Sequence, residues 1–235
     1  NKRTHMMLVP LGVVGIISPW NYPLSIPFGE IVMALMAGNG VMLKVAAATP
    51  AVGRAIEQII AAGELPEGLF QHIVGSGSKV ATGFFDNGID KLFFTGSVPA
   101  GKTLMAQAAQ TLTPVSLELG GNDPMLVLED ADLERATNGA AWGGYQNAGQ
   151  SCGGVERIYV VDAVYDQFVD LLAKKTRQLR HGIGCNGFDV DIGSLTTAGQ
   201  LRTVQQHVED ALAKGARIEA QSRPVGNVEN GFFFP

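Results

Sequence analysis

A chain of 235 residues, 46% of them hydrophobic, carries enough apolar surface to bury the core of one large domain or two modest ones. Its net charge of -5, with no run of Lys or Arg, excludes a stripe able to neutralise a nucleic-acid backbone, so no nucleic-acid partner is expected. Two cysteines, Cys152 and Cys185, make no disulfide framework and fit a reducing, cytoplasmic compartment, and no apolar stretch reaches the ~20 residues of a membrane span.

From the N-terminus, apolar runs of strand length alternate with helical spacing, the pattern of βαβ units with a largely parallel sheet. "GVVGIIS" (12–18) and "GVMLKVA" (40–46) read as buried strands around a helix, "SIPFGEIVMALMAG" (25–38), that stops at Gly38. A second helix spans "TPAVGRAIEQIIAAG" (49–63), with Thr49 as N-cap, Pro50 in the first helical position and Gly63 as stop. The cycle repeats through strand "LFQHIVG" (69–75), helix "SKVATGFF" (78–85), strand "KLFFTG" (91–96), helix "PAGKTLMAQAAQ" (99–110) and strand "PVSLELGG" (114–121). The paired glycines Gly120 and Gly121 suggest a hinge, with one domain over 1–119 and a second over 120–235. The second opens with strand "DPMLVLE" (123–129) and a Gly-loosened helix, "ADLERATNGAAWGGYQNAG" (131–149). "RIYVVD" (157–162), "AVYDQFVDLLAKKTRQL" (163–179) and "LRTVQQHVEDALAKG" (201–215) complete it as a further α/β unit. The chain begins without Met and stops on the apolar run "GFFFP", which reads as a boundary inside a longer protein.

The stretch from Gly96 to Thr103, "GSVPAGKT", satisfies the phosphate-loop pattern G-x-x-x-x-G-K-S/T, in which backbone N–H groups cradle the anion, Lys adds charge and the hydroxyl holds Mg²⁺. A nucleotide hydrolase is one reading of it. Pro99 opposes that reading, because it removes an N–H donor and favours a helix already started, which puts Gly101 and Lys102 inside the helix. A helix beginning at Pro99 would still offer Gly96 and Ser97, at the strand end, to a pyrophosphate. "GSGSKV", from Gly75, is a near miss to G-x-G-x-x-G with Val80 in the third glycine position.

Cys152 lies in "NAGQSCGG", among small residues that permit close approach of a substrate. A free thiol has a pKa of about 8.5, so nucleophilic attack near neutrality gains from a helix N-terminus or a nearby base. A buried structural cysteine is the competing reading. In "VSLELGG" the alternation puts Glu118 with Ser116 on one face, at the carboxyl end of a parallel strand where ligands of open α/β sheets gather. Asn21, in "SPWNYP", sits on a Pro-bounded turn after a strand, either as a turn former or as an amide donor to a developing oxyanion.

"PWNYP", "FTGSVPAG", "LELGG" and "NAGQSC", in this order, resemble the NAD(P)-dependent aldehyde dehydrogenase superfamily, and the resemblance runs through essentially the whole chain. It implies a Rossmann-like, mostly parallel cofactor-binding sheet followed by a second α/β catalytic domain, both incomplete. It also implies three catalytic roles: Cys152 as nucleophile, Asn21 with the Cys152 backbone N–H as oxyanion donors, and Glu118 as the base that activates water. Ser18, Pro19, Trp20, Lys44, Gly75, Gly96, Ser97, Gly101, Glu118 and Leu119 would contact the dinucleotide, NAD or NADP, with Lys44 reaching the adenosine ribose or its phosphate. The implied partners are a small-molecule aldehyde and further copies of the chain in a dimer or tetramer; no metal, nucleic acid or membrane is implied. Lys102 and Thr103 then complete the hydrolase pattern by accident.

Three departures from the family pattern matter. Lys44 is followed by Val45, Ala46 and Ala47 where the family usually has Pro, a small residue and Glu. A Glu at position 47 would chelate the ribose hydroxyls and repel a 2′-phosphate, so with Ala47 NADP is expected to be tolerated. Ser194 replaces a usual proline in "DVDIGSL", which alters loop stiffness. The family's Glu-x-Phe-Gly-Pro segment is not reached, so the isolated segment is expected to turn over little. Retention of Glu118 argues against coenzyme-A-acylating relatives, and Asn21, Glu118 and Cys152 together argue against a non-catalytic member. His5, His72, His181 and His207 lack metal-ligand spacing and read as surface or satisfied core residues. Cys185 reads as incidental, Asp130 and Asp132 as the start of a helix, and Trp142 with Tyr145 as core at helical spacing.

Overall fold

The computed structural model describes residues 2–184, 187 and 189–235. Packing divides the chain between Gly120 and Gly121 into two compact units, Asn1–Gly120 and Gly121–Pro235.

The first unit is built on strands β1 (Val13–Ile17), β2 (Gly40–Lys44), β3 (Phe70–His72), β4 (Lys91–Gly96) and β5 (Val115–Leu119). They form one sheet in the order β3-β2-β1-β4-β5, every neighbouring pair parallel. Helices α1 (Ser25–Met36), α2 (Pro50–Ala61), α3 (Gly77–Asp86) and α4 (Val98–Thr111) supply the connections. Alternation along the strands sends side chains to opposite faces. Val14, Ile16, Val41 and Leu43 pack with Ile31 of α1 and Ile56 of α2. Ile17, Leu92 and Phe94 pack with Phe84 of α3 and Leu104 of α4. Both faces are thus covered, as a parallel sheet requires. The strand order means that the chain builds outward from β1 to β3 and then returns to the other side of β1. That reversal opens a crevice at the carboxyl ends of β1 and β4.

The second unit pairs β6 (Asp123–Val127) with β7 (Val155–Val160) in parallel and β8 (Arg180–Gly182) with β9 (Arg223–Val225) in parallel. Helices α5 (Leu133–Tyr145), α6 (Tyr165–Gln178) and α7 (Ala198–Ala213) complete it. Its core gathers Val127, Ala140 and Phe168, with Ile158 and Leu172 against them. Asp132 caps α5 by accepting from the Arg135 N–H at 3.1 Å, in keeping with a helix start there.

Several elements depart from the sequence expectation. α5 ends at Tyr145 instead of Gly149, because Asn147, Ala148 and Gly149 all take left-handed backbone angles that no right-handed helix accommodates. Trp142 is 69% exposed within the described chain, since the buried face of α5 runs through Thr137, Ala140 and Gly143. Thr49 occupies the N-cap position of α2 but makes no capping bond; its hydroxyl donates to the Ala46 carbonyl at 3.5 Å. β8 and β9 have three residues each, with Arg, His and Pro among them, and carry no apolar pattern that the sequence reading could detect. Ser194 accepts from the Phe232 N–H and donates to the Leu195 carbonyl, tying its loop to the C-terminal run.

Candidate functional site

In the first unit a cleft of about 500 Å³ lies at the carboxyl ends of β1, β2 and β4. Ser18, Pro19, Trp20, Lys44, Gly96 and Ser97 line it, which gathers six of the sequence-predicted cofactor residues in one place. Gly75 lines a separate apolar cleft with Val74, Val80 and Ile89. Gly101, Glu118 and Leu119 are not among the residues lining the cleft. Gly101 is instead a packing position: a Cβ there would stand 2.8 Å from Leu119 Cδ2, so the glycine lets the end of β5 close on α4. At Gly96 a Cβ would stand 2.6 Å from the Phe94 ring, which is itself core.

Several residues lining the cleft were missed by the sequence reading. Gly77 and Ser78 begin α3 there, and Thr95 and Gln107 also contribute. Ser78 lies within the near-miss glycine pattern, so a signal existed, whereas nothing in "KLFFTG" marks the Thr95 hydroxyl as turned into a cavity. The hydroxyls of Ser18 and Thr95 and the Oε1 of Gln107 are buried with no hydrogen-bond partner. Buried polar atoms ordinarily find a partner, so three orphans in one crevice fit a site that binds a polar ligand. Lys44 is 7% exposed, and burial holds its ammonium below the usual lysine range. Ala47 lines the same wall and presents no acid.

The phosphate-loop pattern dissolves in this geometry. α4 begins at Val98, with Pro99 in its first turn, and the Gly101 N–H already donates to the Ser97 carbonyl at 2.9 Å. The Thr103 hydroxyl donates to the Pro99 carbonyl at 3.1 Å. Gly101, Lys102 and Thr103 are therefore helical residues, and no loop of free N–H groups cradles an anion between Gly96 and Lys102.

Asn21 follows β1 on the turn that leads into α1, and its Oδ1 accepts from the Tyr22 N–H at 3.0 Å, which ties the oxygen end of the amide to the backbone. Glu118 is exposed at the end of β5, in register with Thr95 of β4. Glu30, on α1, was not singled out by sequence. Burial, reinforced by the negative charge of Glu118, pushes its carboxyl up to about 7.

In the second unit Cys152 is exposed as a free thiol just after the left-handed turn at Asn147–Gly149. Cys185, the other cysteine, lies outside the described residues. Among the described residues no cluster of three His, Cys, Asp or Glu could hold a metal ion, and no helix is long and apolar enough to cross a membrane. His181 is a satisfied core residue, sharing a 2.8 Å hydrogen bond through Nδ1 with the Ser222 hydroxyl, and burial lowers its pKa. The His72 side chain is buried as well, with Nδ1 3.6 Å from Glu57, but its Nε2 has no hydrogen-bond partner among the described residues, so it is not fully satisfied.

Comparison with known proteins places this geometry among relatives. Over 219 residues the chain is 43% identical to a 4,4'-diapolycopene aldehyde oxidase of a Methylomonas species, a match that covers 93% of this chain and 41% of that protein. The crystal structure of an E. coli NADP dependent enzyme superposes with a TM-score of 0.90 at 38% identity, over 96% of this chain and 47% of that one. Betaine aldehyde dehydrogenase from Staphylococcus aureus, in complex with NAD+, superposes with a TM-score of 0.87 at 33% identity, over 96% of this chain and 45% of that one. The chain thus spans less than half the length of these relatives. The family model for the aldehyde dehydrogenase family matches residues 1–235, and on that match the chain belongs to the aldehyde dehydrogenase family.

Proposed function

We propose that this chain carries the core of an NAD(P)-dependent enzyme that oxidises an aldehyde to a carboxylic acid. Cys152 attacks the carbonyl carbon to give a thiohemiacetal. The amide of Asn21 and the backbone N–H of Cys152 stabilise the oxyanion, where charge develops in the transition state. A bound NAD(P)+ would supply the hydride acceptor needed to oxidise the thiohemiacetal to a thioester. Glu118 then takes a proton from water as it attacks the thioester, releasing the acid and restoring the thiolate. Ser18, Lys44, Ser97 and the start of α3 would hold the dinucleotide in the first unit.

The observation that carries this reading is the family match across residues 1–235, with Cys152, Glu118 and Asn21 all present in the motifs that bear those roles. The orphaned hydroxyls of the crevice add support for a polar cofactor there. With no acid at Ala47 to repel a 2′-phosphate, NADP is tolerated as well as NAD. The natively produced protein acts in the cytoplasm as a dimer or tetramer on a small-molecule aldehyde, without a nucleic-acid or membrane partner. Cys152→Ser in that protein is expected to reduce NAD(P)H production at least ~10³-fold. Glu118→Gln is expected to keep a first burst of about one NAD(P)H per active site and then stall at the thioester. Steady turnover by the Cys152→Ser variant would overturn the assignment.

A further inference from the structure

The turn before Cys152 is expensive backbone. Asn147 (φ 51°) and Ala148 (φ 56°) are non-glycine residues in the left-handed region, followed by Gly149 at φ 73°. A non-glycine residue there is strained and persists only where the surroundings hold it. The holding element is Gln150, 7% exposed. Its Nε2 donates to the Asn147 carbonyl at 2.9 Å, and its Oε1 accepts from the Thr196 N–H at 2.9 Å. The same Asn147 carbonyl also accepts from the Gln150 backbone N–H at 3.1 Å, and Asn147 Nδ2 donates to the Gln150 carbonyl at 3.3 Å. One buried amide therefore closes the strained turn on itself and bolts it to a segment 46 residues later. Cys152 is two residues beyond the bolt.

We propose that Gln150 is the positioning residue for the nucleophile, fixing the Cys152 thiol in its attack geometry by linking the left-handed turn to the backbone at Thr196. The proposal rests on the assignment of Cys152 as nucleophile. The chemistry of the amide is specific to the task, because only a side chain with a donor and an acceptor at one end can bind a carbonyl and an N–H together. Methionine has the length of glutamine but neither group, and would leave the half-buried Thr196 N–H without this acceptor. Glutamate keeps the acceptor for Thr196 and loses the donor to Asn147.

The test uses the natively produced protein with Gln150→Met, Gln150→Glu and, as reference, Cys152→Ser. Two rates are read: aldehyde oxidation, and alkylation of Cys152 by iodoacetamide across pH, with the modified peptide identified by mass. Gln150→Met is expected to lower kcat about 10- to 100-fold with little change in cofactor Kd, since misplacement of a reacting group by about 1 Å within a bound complex carries a penalty of that size, and to slow the alkylation as well. Gln150→Glu, which retains the Thr196 bond, is expected to recover part of both rates and also serves if the methionine variant fails to fold. Unchanged kcat and alkylation in Gln150→Glu and any folded Gln150→Met, with only a lower Tm, would reduce Gln150 to a structural residue and overturn the proposal. Full activity of Cys152→Ser would instead overturn the nucleophile assignment on which it stands.

Discussion

Glu30 shows how one side chain ties stability to pH. Its carboxyl is raised from 4.5 to about 7, first by burial and then by the charge of Glu118. Between those values the folded chain keeps a proton that the unfolded chain has released. The folded state binds more protons in that window, so this group's contribution is complete below pH 4.5 and is lost as pH rises through 7. Urea midpoints at pH 5 and pH 8 should show Glu30→Gln relieving the loss at the higher pH, by on the order of 2 kcal/mol. An unaltered pH dependence would mean that Glu30 is solvated. Ala47 governs a different equilibrium. Ala47→Glu puts a carboxylate in the wall shared with Lys44, and a like charge against a 2′-phosphate should weaken NADP binding at least ~10-fold relative to NAD in a competition titration. Equal effects on both cofactors would place the 2′-phosphate elsewhere. Asn21, Glu118 and Cys152 could be proposed from sequence because their residue types and motif neighbours suggest chemistry. Glu30, Thr95 and Gln107 were not, because an amphipathic helix or a buried strand looks the same in one dimension whether its polar residue faces solvent or a cavity.

Elements with strong period and clear ends matched their expected bounds closely. "KLFFTG" coincides with β4, and α4 starts at Val98, one residue before Pro99, whose fixed φ and missing N–H suit the first turn of a helix. α5 shows both sides of the matter. Its beginning rests on a local bond, Asp132 accepting from Arg135, so Asp132→Ala should cost about 1 kcal/mol of stability, measured by chemical denaturation. A loss below a few tenths would show that the cap contributes nothing beyond solvent. Its end is not local. The turn at Asn147 and Ala148 is held by Gln150 and by Thr196, far along the chain, so helical spacing alone extended the helix four residues too far.

At the scale of the molecule, each compact unit keeps its own core, and the residues lining the proposed cofactor crevice come from the first. Binding at that crevice stabilises whatever folds around it. NADP at 100 times its Kd contributes about 2.7 kcal/mol, which in a chain of this size raises the thermal midpoint by about 5–10 °C. A midpoint indifferent to NADP and NAD alike, in the natively produced protein, would argue that the crevice is not a dinucleotide site. The sequence by itself determined the family, the alternation of strands and helices, and the residue types able to do thioester chemistry, because these depend on composition, period and short motifs. Only the tertiary structure decided that Gly101 packs against Leu119 while Ser78, Thr95 and Gln107 line the crevice. It also decided that Gln150 reaches across to Thr196. Those outcomes depend on which strands become neighbours and which carbonyls meet which donors, and the linear order of residues does not record either.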